Sequence, residues 1–177
     1  MKFEATEIAG LWAVRLERRA DERGSFARLF DREAFAARGL ATAFVQQSLS
    51  VTRQAGTLRG MHFQHAPHAE VKFIRCVRGA IFDVVADMRP GSPSHRRWLG
   101  FELAGADDLC LYIPPGCAHG FQTLSDDAEI LYQMDTPYAA EAASGFRYDE
   151  PAFGIAWPRP VTVIAAKDLT WPQFAAG

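Results

Sequence analysis

The chain has 177 residues, of which 49% are hydrophobic and 23% charged, and we expect a single domain over residues 1–177. Its formal net charge of −2 gives no global basic field that would point to nucleic acid, although local basic groups could still bind a small anion. Three scattered cysteines without CxxC spacing predict no disulfide framework. There is no N-terminal apolar stretch and no apolar run of about 18 residues, so we expect no signal peptide, no membrane span and a cytoplasmic location.

Short apolar runs separated by turn signals dominate the sequence, and helical periodicity is scarce. A strand predicted over 8–16 is followed by a turn-like sequence at 21–24, and the clearest helix candidate is 32–38, which ends before Gly39. Further strands are predicted over 43–52, 58–64, 71–77, 80–88, 97–103, 109–113 and 128–134.

Turn signals separate many of these strands. Arg78-Gly79 predicts a turn, and the proline- and glycine-containing segments 90–93 and 114–116 predict loops. Prolines recur after residue 150, so we expect the C-terminal third to wrap the domain as loops and short helices. Many short strands, repeating roughly every 8–12 residues, favour a β-sandwich or a closed barrel.

The segment 56–64 is the first candidate for chemistry. Alternate side chains of a strand share a face, which predicts two sets: Leu58, Gly60, His62 and Gln64 on one face, and Arg59, Met61 and Phe63 on the other. A histidine between a glycine and a glutamine would have room inside a barrel, and Arg59 needs an anion or water as its partner. Taken alone, such a histidine is more often structural or at the surface.

A second segment, 113–121, places a Pro-Gly turn before His119 as the chain enters another strand. Four histidines could in principle ligate a metal: His62, His65, His68 and His119. His62 and His65 would point to opposite faces of a strand, and Gln64 stands where a jelly-roll metal site usually has its second histidine. Glutamine is a poor ligand for zinc or iron, so we expect no metal.

At these residues the sequence resembles the dTDP-4-dehydrorhamnose 3,5-epimerase family, within the cupin-like jelly rolls. Matching blocks occur in order along nearly the whole chain, at 21–26, 58–64, 72–93, 113–121, 124–132, 149–158 and 167–168. The resemblance implies an all-β, cupin-like jelly-roll barrel with a few short peripheral helices. It also implies a homodimer with swapped N-terminal strands that uses no cofactor.

The activity implied by the resemblance is epimerisation at C3, C5 or both of a nucleotide-diphosphate 4-keto-6-deoxysugar. The C4 ketone acidifies the neighbouring C–H groups, so a base can remove a proton and an acid on the opposite ring face can return one. By resemblance His62 is the base, Tyr132 is the acid and Asp168 orients the histidine. Lys72 would stabilise the enolate oxygen.

The resemblance also implies substrate-binding residues. Arg59 and His119 would hold sugar and diphosphate oxygens, and Arg23 would contact the nucleotide. The other family positions assigned to substrate binding are occupied by Arg28, Gln46, Gln47, Ser48, Tyr138 and Lys167.

Several of these positions depart from the family pattern. The family usually has Asp-Asn-His-Ser where this chain has Gln47-Ser48-Leu49-Ser50, and it has glutamates where this chain has Arg28 and Ala143. These departures predict a changed nucleotide, a changed sugar or inversion of only one centre. Compensation by Gln47 or Arg28, with unchanged specificity, is the alternative.

The sequence leaves two other classes of function open. One is a non-catalytic jelly roll that binds a nucleotide sugar, and the other is a metal-dependent cupin enzyme. His62, Tyr132 and Asp168 together favour the epimerase, because a binding module needs no paired acid and base.

Overall fold

The computed structural model describes residues 1–172 and 174, and within them it contains thirteen strands and two short helices. The strands are β1 (Lys2–Ala5), β2 (Trp12–Arg15), β3 (Arg19–Asp21), β4 (Gly24–Phe26), β5 (Gln46–Thr52), β6 (Leu58–Gln64), β7 (Lys72–Arg78), β8 (Ala80–Asp87), β9 (Trp98–Ala104), β10 (Leu109–Ile113), β11 (Cys117–Thr123), β12 (Ala128–Met134) and β13 (Ala143–Gly145). The helices are α1 (Arg32–Ala36) and α2 (Ala166–Leu169). In this part of the chain, no helix has both the length and the apolar character that crossing a bilayer requires.

Two antiparallel sheets form the body of the fold. The six-stranded sheet has the order β1-β2-β10-β7-β12-β5, and the five-stranded sheet has the order β13-β6-β11-β8-β9. The largest core cluster contains Ile74 and Ile130 from the first sheet and Val85 and Phe121 from the second, so the two sheets pack face to face. The predicted all-β jelly roll is confirmed.

Further apolar layers cover the outer faces of the two sheets. Phe35 of α1 packs with Phe73 and Tyr112 on the outer face of the six-stranded sheet. The side chain of Asp31 caps α1 by accepting a hydrogen bond of 3.0 Å from the backbone N–H of Ala34. On the five-stranded sheet, side chains from the C-terminal third form the covering layer, as the sequence predicted.

The strands predicted over 43–52, 71–77, 80–88 and 97–103 exist within one to three residues of the predicted bounds. The strands predicted at 58–64, 109–113 and 128–134 have the bounds that were predicted, and the helix predicted over 32–38 ends at Ala36. The predicted strand 8–16 is wrong in extent, because only Trp12–Arg15 pairs with neighbours. The turn at Arg78-Gly79 exists, but it carries the chain from one sheet to the other.

A bulge interrupts the pairing between β6 and β11. His62 lies opposite His119 and Arg59 lies opposite Phe121, so three residue steps on β6 match two on β11. Gly60 occupies the bulge with a φ of 140°, and a Cβ there would lie 2.6 Å from a backbone Cα of β11. Only glycine fits that position without moving the neighbouring strand.

The bulge corrects the predicted faces of β6. Residues that pair directly across antiparallel strands share a face, so Arg59 lies on the interior face together with His62. Met61 and Phe63 pack in the outer layer of the five-stranded sheet, and Leu58 is on that outer side too. The predicted grouping of Leu58 with His62, and of Arg59 with Met61, was therefore wrong.

Candidate active site

A cleft of about 640 Å³ is bordered by β6, by the start of β7 and by the chain around α2. Several of its lining side chains are polar or charged, namely His62, Glu70, Lys72, Tyr138 and Lys167. Besides His62, the cleft wall thus contains three site residues that the sequence predicted outside β6, namely Lys72, Tyr138 and Lys167.

His62, in the wall of this cleft, forms a hydrogen-bonded pair with Asp168. His62 Nε2 lies 2.7 Å from Asp168 Oδ1, and the backbone N–H of Gly60 donates to Asp168 Oδ2 over 3.4 Å. Asp168 is only 1% exposed, whereas the His62 side chain is 36% exposed and can reach a ligand. The predicted contact between these two residues is present.

The chain before α2 explains how Asp168 reaches β6. The backbone N–H of Leu58 donates to the Val163 carbonyl over 2.9 Å, and Leu58 forms a parallel bridge with Ile164. α2 begins two residues later, so its single turn stands beside the bulge. This anchor fixes the aspartate against the histidine ring.

The surroundings of Asp168 favour its ionised form. Burial opposes ionisation, but the hydrogen bond and charge of His62 and the N–H of Gly60 outweigh it and lower the pKa of the carboxyl below its usual range. A carboxylate next to an imidazole holds the ring orientation and stabilises the imidazolium formed when the ring takes up a proton.

Tyr132, His119, Asp83 and Arg59 form a second cluster on the interior faces of the two sheets. The rings of His119 and Tyr132 lie 5.9 Å apart between centroids, and His119 Nε2 lies 2.7 Å from Asp83 Oδ2. Burial raises the pKa of Tyr132, and the nearby Asp83 raises it further against the opposing effect of Arg59. Burial also raises the pKa of Asp83, although His119 opposes this.

The two clusters adjoin each other across the interior. His62 and His119 are direct neighbours on β6 and β11, whereas Tyr132 projects from β12 in the facing sheet. A histidine paired with a carboxylate thus stands in one sheet and a protonated phenol in the other. Such an arrangement can remove a proton from one side of a ligand and return one to the other side.

The remaining predicted binding residues differ in whether they face these clusters. Ser48 lies opposite Tyr132 on the inner face of β5, and Gln46 Oε1 accepts a hydrogen bond of 2.8 Å from the backbone N–H of Tyr138. Gln47 lies opposite Gln133 and points to the other face of the sheet, away from the interior.

Arg23 and Arg28 are not brought to the cleft within one chain. Arg23 is in the β3–β4 turn, where it pairs with Asp21, and Arg28 pairs with Asp31 at the start of α1. The side chains of these two arginines are 82% and 66% exposed. Of the other departures from the family pattern, Ala143 lines the cleft and Leu49 faces outward.

Sequence analysis missed two buried acids, Glu70 and Asp83. Glu70 forms an ion pair with Lys72, and Asp83 pairs with His119. Asp83 stands within the apolar stretch 80–86, where a carboxyl group is a signal because it needs a partner when buried. Glu70 lies between His68 and Lys72 and gives no such signal.

In residues 1–172 and 174, no three or more His, Cys, Asp or Glu side chains are grouped so that they could hold a metal ion. The neighbouring histidines His62 and His119 are each hydrogen-bonded to an aspartate.

Comparisons with known proteins agree with the fold. The family model for dTDP-4-dehydrorhamnose 3,5-epimerase matches residues 5–176. A protein of that name from Sinorhizobium fredii is 40% identical over 175 residues, covering 98% of this chain and 90% of the relative. A dTDP-4-dehydrorhamnose 3-epimerase from Streptomyces niveus is 35% identical, covering 95% of this chain and 81% of the relative.

A solved structure was also matched. The crystal structure of dTDP-4-dehydrorhamnose 3,5-epimerase from Bacillus anthracis with TDP and PPi bound superposes with a TM-score of 0.94 at 32% identity. The match covers 98% of this chain and 99% of that one.

Proposed function

Because the chain belongs to the dTDP-4-dehydrorhamnose 3,5-epimerase family, we propose that it inverts C3, C5 or both of a dTDP-linked 4-keto-6-deoxyhexose. A relative named as a 3,5-epimerase is 40% identical to the chain, and one named as a 3-epimerase is 35% identical. Because these identities are similar, the proposal includes both double inversion and inversion of C3 alone. The pairing of His62 with Asp168 at the cleft carries the chemical part of the proposal.

The base in this proposal is His62. Asp168 binds Nε2, which leaves Nδ1 as the nitrogen that accepts a proton from the carbon beside the ketone. The imidazolium formed in that step is stabilised by the buried carboxylate, whose low pKa keeps it charged throughout.

Lys72 and Tyr132 complete the proton transfer. Lys72 lines the cleft near His62, and its ammonium group would stabilise the negative charge that develops on the C4 oxygen. Tyr132 faces the interior from the other sheet, and its raised pKa keeps the phenol protonated for donation to the opposite face of the enolate.

Substrate binding in this proposal depends on two positive groups, one in the cleft wall and one on the interior face of β6. Lys167 lines the cleft, and Arg59 lies on the interior face of β6. Both would bind phosphate oxygens, and the forked guanidinium of Arg59 fits phosphate especially well. The Bacillus anthracis structure with bound TDP supports a nucleotide as part of the ligand.

A homodimer is part of the same proposal. The edge strand β5 exposes Leu49 and Val51, which are 56% and 50% exposed, and the β3–β4 hairpin exposes Phe26 to 70%. Exposed apolar groups on an edge strand and a projecting hairpin are suited to pairing with a second copy. In such a dimer, Arg23 of one chain would reach the nucleotide held by its partner.

Solvent exchange tests the proposal. The protein, treated with a chelator, is incubated in heavy water with dTDP-4-keto-6-deoxyglucose, and the deuterium content and configuration of C3 and C5 are followed by NMR. We expect deuterium at one or both carbons together with inversion there. If the sugar binds without exchange, the protein is a binding module, and if chelation abolishes exchange, a metal takes part.

A further inference from the structure

Glu70 lines the cleft and has a buried hydrogen-bond acceptor that no group in the described part of the chain satisfies. The residue is 8% exposed and lines the cleft, and one carboxylate oxygen, Oε1, pairs with Nζ of Lys72. Within residues 1–172 and 174, no protein group donates a hydrogen bond to the other oxygen, Oε2, which is itself buried. A buried acceptor without a partner is costly, so this oxygen calls for a donor from a ligand.

The charge of Glu70 limits what that donor can be. A phosphate oxygen carries negative charge and accepts hydrogen bonds, so it would be repelled by the carboxylate. A sugar hydroxyl is neutral and donates, which makes it the matching group in a nucleotide sugar. The end of the cleft at Glu70 and Lys72 therefore suits the sugar, and the diphosphate belongs farther from Glu70.

Lys72 identifies the position on the sugar ring. In the proposed reaction, on which this inference rests, the Lys72 ammonium group binds the C4 oxygen. Glu70 pairs with that ammonium through Oε1, so its carboxylate is next to the group that binds the C4 oxygen. The free hydroxyl nearest to the C4 oxygen on the sugar ring is the one at C3, because C5 carries the ring oxygen and the methyl group.

We propose that Glu70 is a substrate-binding residue that accepts a hydrogen bond from the C3 hydroxyl of the 4-keto sugar through Oε2. Inversion at C3 moves this hydroxyl to the other ring face, whereas inversion at C5 leaves it in place. Glu70 thus distinguishes the two configurations at C3 and orients the C3–H bond relative to the base.

Binding of unreactive ligands tests this contact. The probes are dTDP-6-deoxyglucose, which has no ketone to react, and its 3-deoxy analogue. We expect the wild-type protein to bind the 3-deoxy analogue about ten- to a hundredfold more weakly, as for loss of a hydrogen bond to a charged acceptor. In Glu70→Met the two probes should bind equally, whereas the exposed control Glu102→Met should discriminate like the wild type.

A second variant keeps the test valid if Glu70→Met does not fold. Glu70→Gln has the same shape and a neutral acceptor, and its discrimination should fall to about two- to tenfold. Undiminished discrimination in the Glu70 variants, or no discrimination by the wild type, would overturn the inference. If the wild type binds neither probe and shows no exchange with the ketone, the proposed function fails as well.

Isotope exchange separates the contact from a structural role. In Glu70→Gln, deuterium incorporation at C3 should slow more than incorporation at C5, because only C3 carries the bound hydroxyl. Equal slowing at both carbons would mean that Glu70 acts only by holding Lys72, and the contact with the C3 hydroxyl would be rejected.

Discussion

Asp168→Asn should disable His62 as a base while keeping the shape of the side chain at position 168. Asp168 is 1% exposed and binds His62 over 2.7 Å, so the variant removes a buried charge from a charge-assisted hydrogen bond. Such a bond contributes about 1.5–3 kcal/mol, which corresponds to roughly a ten- to hundredfold loss in rate. The asparagine amide can also donate a hydrogen bond to Nε2 of His62. This favours the tautomer that is protonated on Nδ1, and Nδ1 then has no lone pair with which to accept the substrate's proton.

The combined loss should approach the full contribution of a general base, about a hundred- to ten-thousandfold. The assay is the rate of deuterium incorporation from heavy water at C3 and C5, with Asp107→Asn on the exposed β9–β10 turn as the matched control. The substrate dissociation constant should change little. Exchange in Asp168→Asn within about threefold of the control would refute the role assigned to the carboxylate.

Further predictions concern the acid, the fold, the dimer and the substrate. Tyr132→Phe should reduce inversion of the sugar carbons more than deuterium exchange, both measured by NMR. In the wild type, the raised pKa of Tyr132 predicts that phenol ionisation causes no loss of inversion up to about pH 10. Burial opposes ionisation of Asp87, but its bonds to Arg89 and two serines lower its pKa overall. Its stabilising effect should therefore be full at neutral pH and decline progressively as the pH falls below about 4 toward the lower pKa of the folded state. Asp87→Ala should accordingly cost about 3–5 kcal/mol in urea unfolding at pH 7 and progressively less in acid. Leu49→Asp should give a monomer in sedimentation if β5 forms the dimer contact. If the departures from the family pattern alter specificity, a panel of dTDP-, CDP-, UDP- and GDP-linked sugars should show faster turnover of a sugar other than dTDP-4-keto-6-deoxyglucose.

Strand positions could be predicted from sequence because each strand is short, apolar and bounded by turn residues. The bounds of β6, β10 and β12 follow from that pattern alone. The faces of β6 could not be derived, since strict alternation assumes a regular strand and Gly60 introduces a bulge. A glycine inside a strand pattern was the available warning, because it often marks such a bulge.

The site was less accessible to sequence reasoning than the fold. His62 and Asp168 are 106 positions apart, and no local pattern predicts their contact; only the family resemblance pointed to it. Glu70 was missed because a lone glutamate before a strand resembles a surface charge. Its burial depends on the loops that close the cleft, which sequence periodicity does not describe.

The central claim is that His62 removes the proton. Deuterium incorporation at C3 and C5 of dTDP-4-keto-6-deoxyglucose should be compared between the wild type, His62→Ala and the exposed neighbour control His65→Ala. The account predicts loss of exchange at every carbon in His62→Ala, with an unchanged circular dichroism spectrum and wild-type exchange in His65→Ala. Near-native exchange in a folded His62→Ala variant would contradict it.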